Sequence, residues 1–291
     1  MYLHVKEAAY NCIPEKPDPV YAKQLQELIG GQWGEMSVML GYMFQAWNSR
    51  GPIKYRDMTF AIGTEEIGHV EMLATMVARL LEKSPVEAQE HAAKDSIVGA
   101  VMGGANVADV VFSSMSPQHA IVSGAGAMPV DSVGNRWTAD YITASGNLLA
   151  DFRFNVTAES QGRLQAARLY NMTDDPGIKD MLSYLITRDT MHQNQWIAAI
   201  AELEADGLDG TPNPLNFPEE LQKQDFAYKF LNHSDGAAAA DGRWAKGPSP
   251  DGKGEFEYVA NPPALGPVPV LGMTDPRLYG TQPVPTPPAA S

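Results

Sequence analysis

The chain has 291 residues, of which 44% are hydrophobic, and a formal net charge of −14 at pH 7. That length and apolar content suffice for one large core with appendages, whereas the acidic charge argues against nucleic acid and anionic membranes as partners. A single cysteine, Cys12, excludes an intrachain disulfide framework and a multi-cysteine metal site, and it favours a reducing, cytoplasmic location. We also expect no signal peptide and no membrane-spanning segment.

The N-terminal part of the chain predicts a pair of long helices. Residues 1–17 are expected to be irregular, and Asp18-Pro19 supplies an N-cap and a first-turn proline for helix 1. Apolar residues recur every three or four positions from there to about Trp47. Helix 2 is predicted from about Lys54 to Lys83, and the short turn before it makes the two helices antiparallel neighbours.

A second pair of helices is predicted after a long connection. Residues 84–141 lose the helical periodicity, and a crossover of this length lets the next helix run parallel to helix 2. Helix 3 is predicted from about Thr143 to Asn171, and helix 4 from the Asp175-Pro176 turn to about Ala205. We therefore predict an all-α four-helix bundle over residues 18–206.

The composition changes after Gly207. Eleven of the 22 prolines lie between Pro248 and Pro288, which predicts an extended, polyproline-like tail over residues 207–291. The tail also carries many apolar side chains, so we expect it to pack on its own bundle or on a neighbouring subunit. Residues 227–235 are a candidate for a short strand or turn.

A repeated pattern of carboxylates and histidines marks the bundle as a metal site. Two predicted helices each carry a carboxylate and a histidine three residues apart, which places both on one helix face. Each pair is preceded, about 30 residues earlier, by a further glutamate on the preceding helix. This is the ligand pattern of dimetal four-helix bundles. The six residues are Glu35, Glu66, His69, Glu159, Asp189 and His192.

The residue types indicate which ions would suit this site. Several buried anions are costly unless cations compensate them, and two divalent ions would do so. Carboxylate and imidazole ligands suit manganese and iron, whereas the absence of cysteine ligands disfavours structural zinc and iron–sulfur clusters. Glu66 is the best candidate for a bridging ligand.

Two further side chains are candidates for catalysis. Asp189 is one methylene shorter than the glutamate expected at its position, so it could move protons beside the metals rather than bind them. The alternatives are that it compensates Arg188 or supports a ligand histidine. Tyr42 lies two helical turns after Glu35 and could donate a hydrogen bond near the site, or it is an ordinary core tyrosine.

Several motifs together resemble the manganese (non-haem) catalases. The motifs are residues 33–35, 64–72, 124–131, 173–177 and 187–193. The resemblance covers the chain from its start to the proline-rich end, and it implies a ferritin-like bundle, two manganese ions per subunit and a homohexamer whose C-terminal tails wrap neighbouring subunits.

The resemblance also implies roles for individual residues. Glu35, Glu66 and His69 would serve one manganese ion, with Glu66 bridging, and Glu159 and His192 would serve the other. Members often have a glutamate where this chain has Asp189, outside the metal's direct ligands. Some members bind calcium at a subunit contact; the residues that match part of that site are Asp57, Asn232 and Ser234, whereas Ala61 stands where a second aspartate is expected.

The implied activity is the disproportionation of hydrogen peroxide to water and dioxygen, with the metals cycling between Mn(II)2 and Mn(III)2. Two other functions share the ligand pattern. One is a diiron carboxylate oxidase or peroxidase, because these ligands do not separate manganese from iron. The other is a non-catalytic metal store or structural coat-type protein on the same scaffold.

Overall fold

A computed structural model of the chain describes residues 4–83, 116–208, 223–270 and 272. The chain divides into two compact units, Met1–Asn216 and Phe217–Ser291. The helices described in the first unit are α1 (Pro19–Leu25), α2 (Glu27–Gly30), α3 (Glu35–Asn48), α4 (Ile53–Leu80), α5 (Pro117–Ile121), α6 (Leu148–Tyr170) and α7 (Pro176–Ala205), with a 3-10 turn at Ala139–Tyr141. The predicted all-α class is confirmed.

The prediction of one continuous helix from Pro19 to Trp47 is wrong. The Asp18 side chain caps α1 as expected, accepting a hydrogen bond from the Tyr21 amide, but the chain leaves helical geometry after Gly30. A Cβ at Gly30 would lie 2.5 Å from backbone atoms of Val130, so another segment packs directly on the glycine backbone there. As a result, Glu35 is the first residue of α3 and not a position in the middle of a longer helix.

The second pair of helices begins at side-chain caps. Helix α7 starts at Pro176 as predicted, and the Asp175 carboxylate accepts from the amides of Gly177 and Ile178. Helix α6 starts at Leu148, five residues later than expected. The Asn147 side chain caps this helix by accepting a hydrogen bond from the Ala150 amide. Asp151 accepts hydrogen bonds from Ser145 and from the amide of Gly146, which fixes the preceding loop.

The four long helices pack as two pairs, α3 with α4 and α6 with α7. Two apolar clusters form the core of this unit. One is built around residues 72–80 of α4, with Leu81 after it, and residues 178–185 of α7. The other is built around residues 148–158 of α6 and 196–203 of α7. The predicted site residues of α4, α6 and α7 fall between these clusters along their helices. None of the helices in the described ranges is long and apolar enough to cross a membrane.

The predicted crossover is described from residue 116 onward; residues 84–115 lie outside the described residues. Its last part is fixed to the N-terminal helices by side chains. The side-chain amide of Gln26 donates to the carbonyls of Met128 and Val130. The Glu27 carboxylate accepts from the backbone N–H and from the hydroxyl of Ser132. These bonds hold residues 128–132 against the start of α2.

The second unit contains a small sheet. Its elements are α8 (Gln224–Ala227), β1 (Lys229–Leu231), a 3-10 turn (Ala238–Asp241), β2 (Lys246–Pro248) and β3 (Glu255–Val259). The strand order is β1-β3-β2, with β1 parallel and β2 antiparallel to β3. The strand expected within residues 227–235 is therefore present as β1. Beyond β3 the described residues are irregular, and Leu265, Val268 and Val270 are exposed in the single chain.

Candidate metal centre

All six residues of the carboxylate–histidine pattern lie in the interior of the bundle. Helix α3 begins with Glu35, α4 carries Glu66 and His69, α6 carries Glu159, and α7 carries Asp189 and His192. None of the six is more than 5% exposed. Ionisable side chains are rarely so buried without a partner of opposite charge, so the arrangement calls for compensation.

Glu66 is the centre of the cluster. One of its carboxylate oxygens lies 2.6 Å from Nδ1 of His69, and the other lies 2.7 Å from Nδ1 of His192. The ring N–H directions do not align with these oxygens, so the short distances are not hydrogen bonds: among the described residues, both Glu66 oxygens and both Nδ1 atoms lack a hydrogen-bond partner. Lone pairs of three side chains therefore converge from two helices.

The remaining carboxylates lie on either side of this core. Glu35 Oε2 is 3.7 Å and Asp189 Oδ1 is 3.9 Å from Nδ1 of His69, while Glu159 Oε1 is 3.9 Å from Nδ1 of His192. One ligand-type atom from each of four residues lies within 4.8 Å of the others; the four are Glu66, His69, Asp189 and His192. The side chains of the predicted pattern are thus brought together.

The electrostatics of the cluster favour bound cations. Burial, followed by repulsion from Glu66, raises the pKa of Glu35 to about 7 and that of Glu159 to about 8. Burial and the Glu35 and Glu159 charges raise the pKa of Asp189 well above its usual range. Each carboxylate would therefore hold a proton near neutral pH unless another cation replaced it.

Glu66 and the histidines behave differently, because they face groups of opposite charge. Burial would raise the pKa of Glu66, but attraction to His69 and His192 outweighs it and lowers that pKa. Burial would likewise lower the pKa of His192, but Glu65 and Glu66 raise it to about 10. The central carboxylate is thus the one that stays ionised.

The residues present fit a pair of divalent ions. The buried atoms without a hydrogen-bond partner among the described residues include both Glu66 oxygens, Asp189 Oδ1 and all four ring nitrogens of the two histidines. Leaving such atoms unpaired in the interior costs about 1–3 kcal/mol each. Carboxylate and imidazole donors of this kind are those that manganese and iron accept.

Tyr42 reaches the cluster from α3. Its hydroxyl donates to Glu159 Oε1 at 2.6 Å, and the Trp196 indole N–H donates to the same oxygen at 3.4 Å. Burial, followed by the Glu159 charge, raises the pKa of Tyr42, so the phenol stays protonated and able to donate. A cavity of about 10 Å³, the size needed for one water molecule, lies beside Tyr42, Gln45 and Asn155.

Trp196 and Glu65 were not identified from the sequence, and Arg188 was considered only as a charge partner of Asp189. Arg188 contacts Glu65, not Asp189, with Nε at 2.5 Å from Oε1 and Nη2 at 3.2 Å from Oε2. The sequence did contain a signal for this ion pair. An acidic residue, Glu65, stands directly before Glu66 in the first motif, and a basic residue, Arg188, stands directly before Asp189 in the second.

The chain is similar to known proteins over nearly its whole length. The family model for manganese-containing catalases matches residues 1–289. The chain belongs to the manganese catalase family. The resemblance noted from the sequence motifs is therefore confirmed.

Individual relatives of this family cover nearly the whole chain. A manganese catalase of Bacillus subtilis strain 168 is 51% identical over 283 residues, which are 97% of this chain and 99% of the relative. The protein YjqC of the same strain is 54% identical over 284 residues, 97% of this chain and 98% of the relative. The crystal structure of KatB, a manganese catalase from Anabaena, superposes with a TM-score of 0.65 at 28% identity, covering 90% of this chain and 100% of that one.

Proposed function

We propose that the protein is a manganese catalase that disproportionates hydrogen peroxide to water and dioxygen. The observation that carries this proposal is the buried core in which both oxygens of Glu66 face Nδ1 of His69 and of His192 without forming hydrogen bonds. Membership of the manganese catalase family supports manganese as the metal.

Five side chains would hold two manganese ions in each subunit. Glu35, Glu66 and His69 would bind one ion, and Glu159 and His192 the other, with Glu66 shared between them. When bound, the pair would exchange one electron per ion by cycling between Mn(II)2 and Mn(III)2, giving two electrons to the peroxide that is reduced to water and taking two from the peroxide that is oxidised to dioxygen.

Asp189 would transfer the protons that the reaction consumes and releases. Its Oδ1 is buried, has no hydrogen-bond partner among the described residues and lies 3.9 Å from Nδ1 of His69. A carboxylate at this place, with an oxygen left free by the surrounding side chains, can accept and return a proton beside the metals. Tyr42 would orient Glu159 through the hydrogen bond from its hydroxyl.

The exposed tail and the single cysteine bear on the assembly and location that we propose. Exposed Leu265, Val268 and Val270 favour burial of the tail against other subunits, and we propose the homohexamer that the family resemblance implies. The free, buried thiol of Cys12 fits a cytoplasmic protein.

A calcium site remains a prediction from the family resemblance alone. Asp57 lies on α4, and Asn232 and Ser234 follow β1. The Asn232 side-chain oxygen accepts a hydrogen bond from the Ser234 amide. Calcium would be detected by elemental analysis of the purified protein alongside manganese.

The test combines elemental analysis with an oxygen electrode. Wild-type protein should hold about two manganese ions per chain and evolve dioxygen from peroxide. Glu66→Ala should lose both properties. Glu71→Ala is the matched control, because Glu71 lies on the same helix but pairs with His4 away from the cluster.

Other results would select the alternative functions. Iron in the native protein, with peroxide consumed but no dioxygen evolved, would favour a diiron oxidase or peroxidase. A large excess of metal per chain without dioxygen would favour a store. Full activity of the Glu66→Ala variant would refute the proposed site.

A further inference from the structure

The Nε2 atoms of His69 and His192, which are the ring nitrogens farther from Glu66, both face the carboxylate of Glu65. Glu65 Oε2 lies 3.2 Å from Nε2 of His192, and Glu65 Oε1 lies 3.7 Å from Nε2 of His69. Both Nε2 atoms are buried, and neither has an aligned hydrogen bond among the described residues. A single side chain is thus within reach of two donors that belong to different helices, α4 and α7.

The chemistry of imidazole gives this placement a consequence. Each ring directs Nδ1 toward Glu66. A neutral imidazole whose Nδ1 binds a metal must carry its hydrogen on Nε2. A buried N–H then needs an acceptor, and carboxylates are common acceptors behind metal-binding histidines. Glu65 offers one oxygen to each ring.

Arg188 fixes the position of this carboxylate. Its guanidinium contacts both oxygens of Glu65, at 2.5 Å through Nε and 3.2 Å through Nη2. Two-point contacts of this type fix the orientation of a carboxylate as well as its position. Since Glu65 is on α4 and Arg188 is on α7, the contact also links the two helices that carry the histidines.

We propose that Glu65 is the shared hydrogen-bond acceptor that orients both metal-binding histidines, and that Arg188 holds Glu65 in place. Both are positioning residues, because neither lies among the inner ligand atoms. The proposal rests on the proposed dimetal site. It requires the rings to turn slightly so that the Nε2–H bonds align with the Glu65 oxygens.

The shared acceptor couples the two metal positions and predicts an asymmetric defect. In Glu65→Gln only one oxygen remains to accept a hydrogen bond, since the amide nitrogen is a donor. That oxygen can face only one of the two rings, because Oε2 lies nearer to His192 and Oε1 lies nearer to His69. One histidine should therefore keep its acceptor while the other loses it, and one metal ion should be weakened more than the other.

The experiment is a manganese titration of the metal-free protein against a competing chelator, together with electron paramagnetic resonance of the loaded forms. Glu65→Gln should bind one manganese ion with near wild-type affinity and the second about 10–100-fold more weakly. With two manganese ions supplied per chain, at a free concentration between the two affinities of the variant, its spectrum should show isolated Mn(II) where the wild type shows a coupled pair. Arg188→Gln should give a smaller loss, partly restored in Arg188→Lys.

The control is Glu71→Gln, which makes the same chemical change in the same helix at a carboxylate that pairs with His4. It should leave both affinities and the spectrum unchanged. Metal-free Glu65→Gln and Arg188→Gln should still fold at the temperature of the titration, because both side chains are partly exposed, and circular dichroism checks this.

Three results would overturn the proposal. They are unchanged affinities at both sites in Glu65→Gln, an equal loss at both sites, or loss of the fold in both Glu65→Gln and Arg188→Gln. The proposed function is tested separately: if the wild type bound two manganese ions but evolved no dioxygen, the catalase assignment would fail while the titration would still decide the role of Glu65.

Discussion

Glu159 gives the sharpest test of the cluster's electrostatics. In Glu159→Gln the amide oxygen can still accept the hydrogen bonds that Tyr42 and Trp196 donate to Glu159 Oε1, so the packing is kept while the ionisable group is removed. The comparison is made on metal-free protein, where no cation offsets the buried carboxylates.

The expected magnitude follows from the raised pKa of Glu159, about 8 against an ordinary value of 4.5. Between these pH values the unfolded chain has lost the proton and the folded chain retains it. Stability therefore falls as pH rises, by about 1.4 kcal/mol per pH unit. From pH 5 to pH 7 wild-type apoprotein should lose roughly 3 kcal/mol more than Glu159→Gln does, which corresponds to roughly 5–10 °C in Tm.

The assay is differential scanning calorimetry at pH 5, 6 and 7 in the presence of a chelator. Raised pKa values at Glu35 and His192 add to the slope with the same sign in both proteins, so only the difference between them is interpreted. Glu71→Gln serves as the surface control and should follow the wild type. If Tm fell equally with rising pH in the wild type and in Glu159→Gln, the raised pKa of the buried Glu159 carboxylate would be refuted.

Two further outcomes are expected. Asp189→Asn should retain both manganese ions but lose about 10²–10⁴-fold in the rate of dioxygen evolution, the usual contribution of a proton-transfer group; metal analysis and an oxygen electrode check this, and an unchanged rate would remove Asp189 from the chemistry. Gly30→Ala should lower Tm, because its Cβ would lie 2.5 Å from the Val130 backbone and force two packed segments apart; thermal unfolding measures this, and an unchanged Tm would mean that the contact is easily relaxed.

Local sequence signals account for the elements that were predicted correctly. Asp18 and Asp175 cap their helices with their own side chains, so the start of each helix is encoded within a few residues. The break after Gly30 was missed because the apolar spacing continues through it, although glycines stand at positions 30, 31 and 34 and glycine is typical of helix ends. A periodicity argument also does not detect the contact of the Gly30 backbone with Val130, 100 positions along the chain.

The same distinction applies to the metal centre. The spacing of Glu66 and His69, and of Asp189 and His192, places each pair on one helix face, which a sequence displays directly. The contact between Glu65 and Arg188 depends on how closely α4 and α7 approach each other, and this distance is set by packing between the helices. The inner residues were therefore predictable, whereas those behind the histidines required the structure.

The turn between Gly30 and Glu35 holds the first ligand of the site as firmly as the long helices hold the others. Gly34 is buried, and a Cβ there would lie 2.9 Å from the carbonyl oxygens of residues 27–29. Deleting one residue within a continuous α-helix turns every later side chain by about 100°, which at α4 or α7 would rotate a histidine out of the bundle. A deletion within residues 31–34 would displace Glu35 directly, because that residue follows the turn. Length variation among homologues is thus expected to be excluded from this turn as well as from the uninterrupted helices.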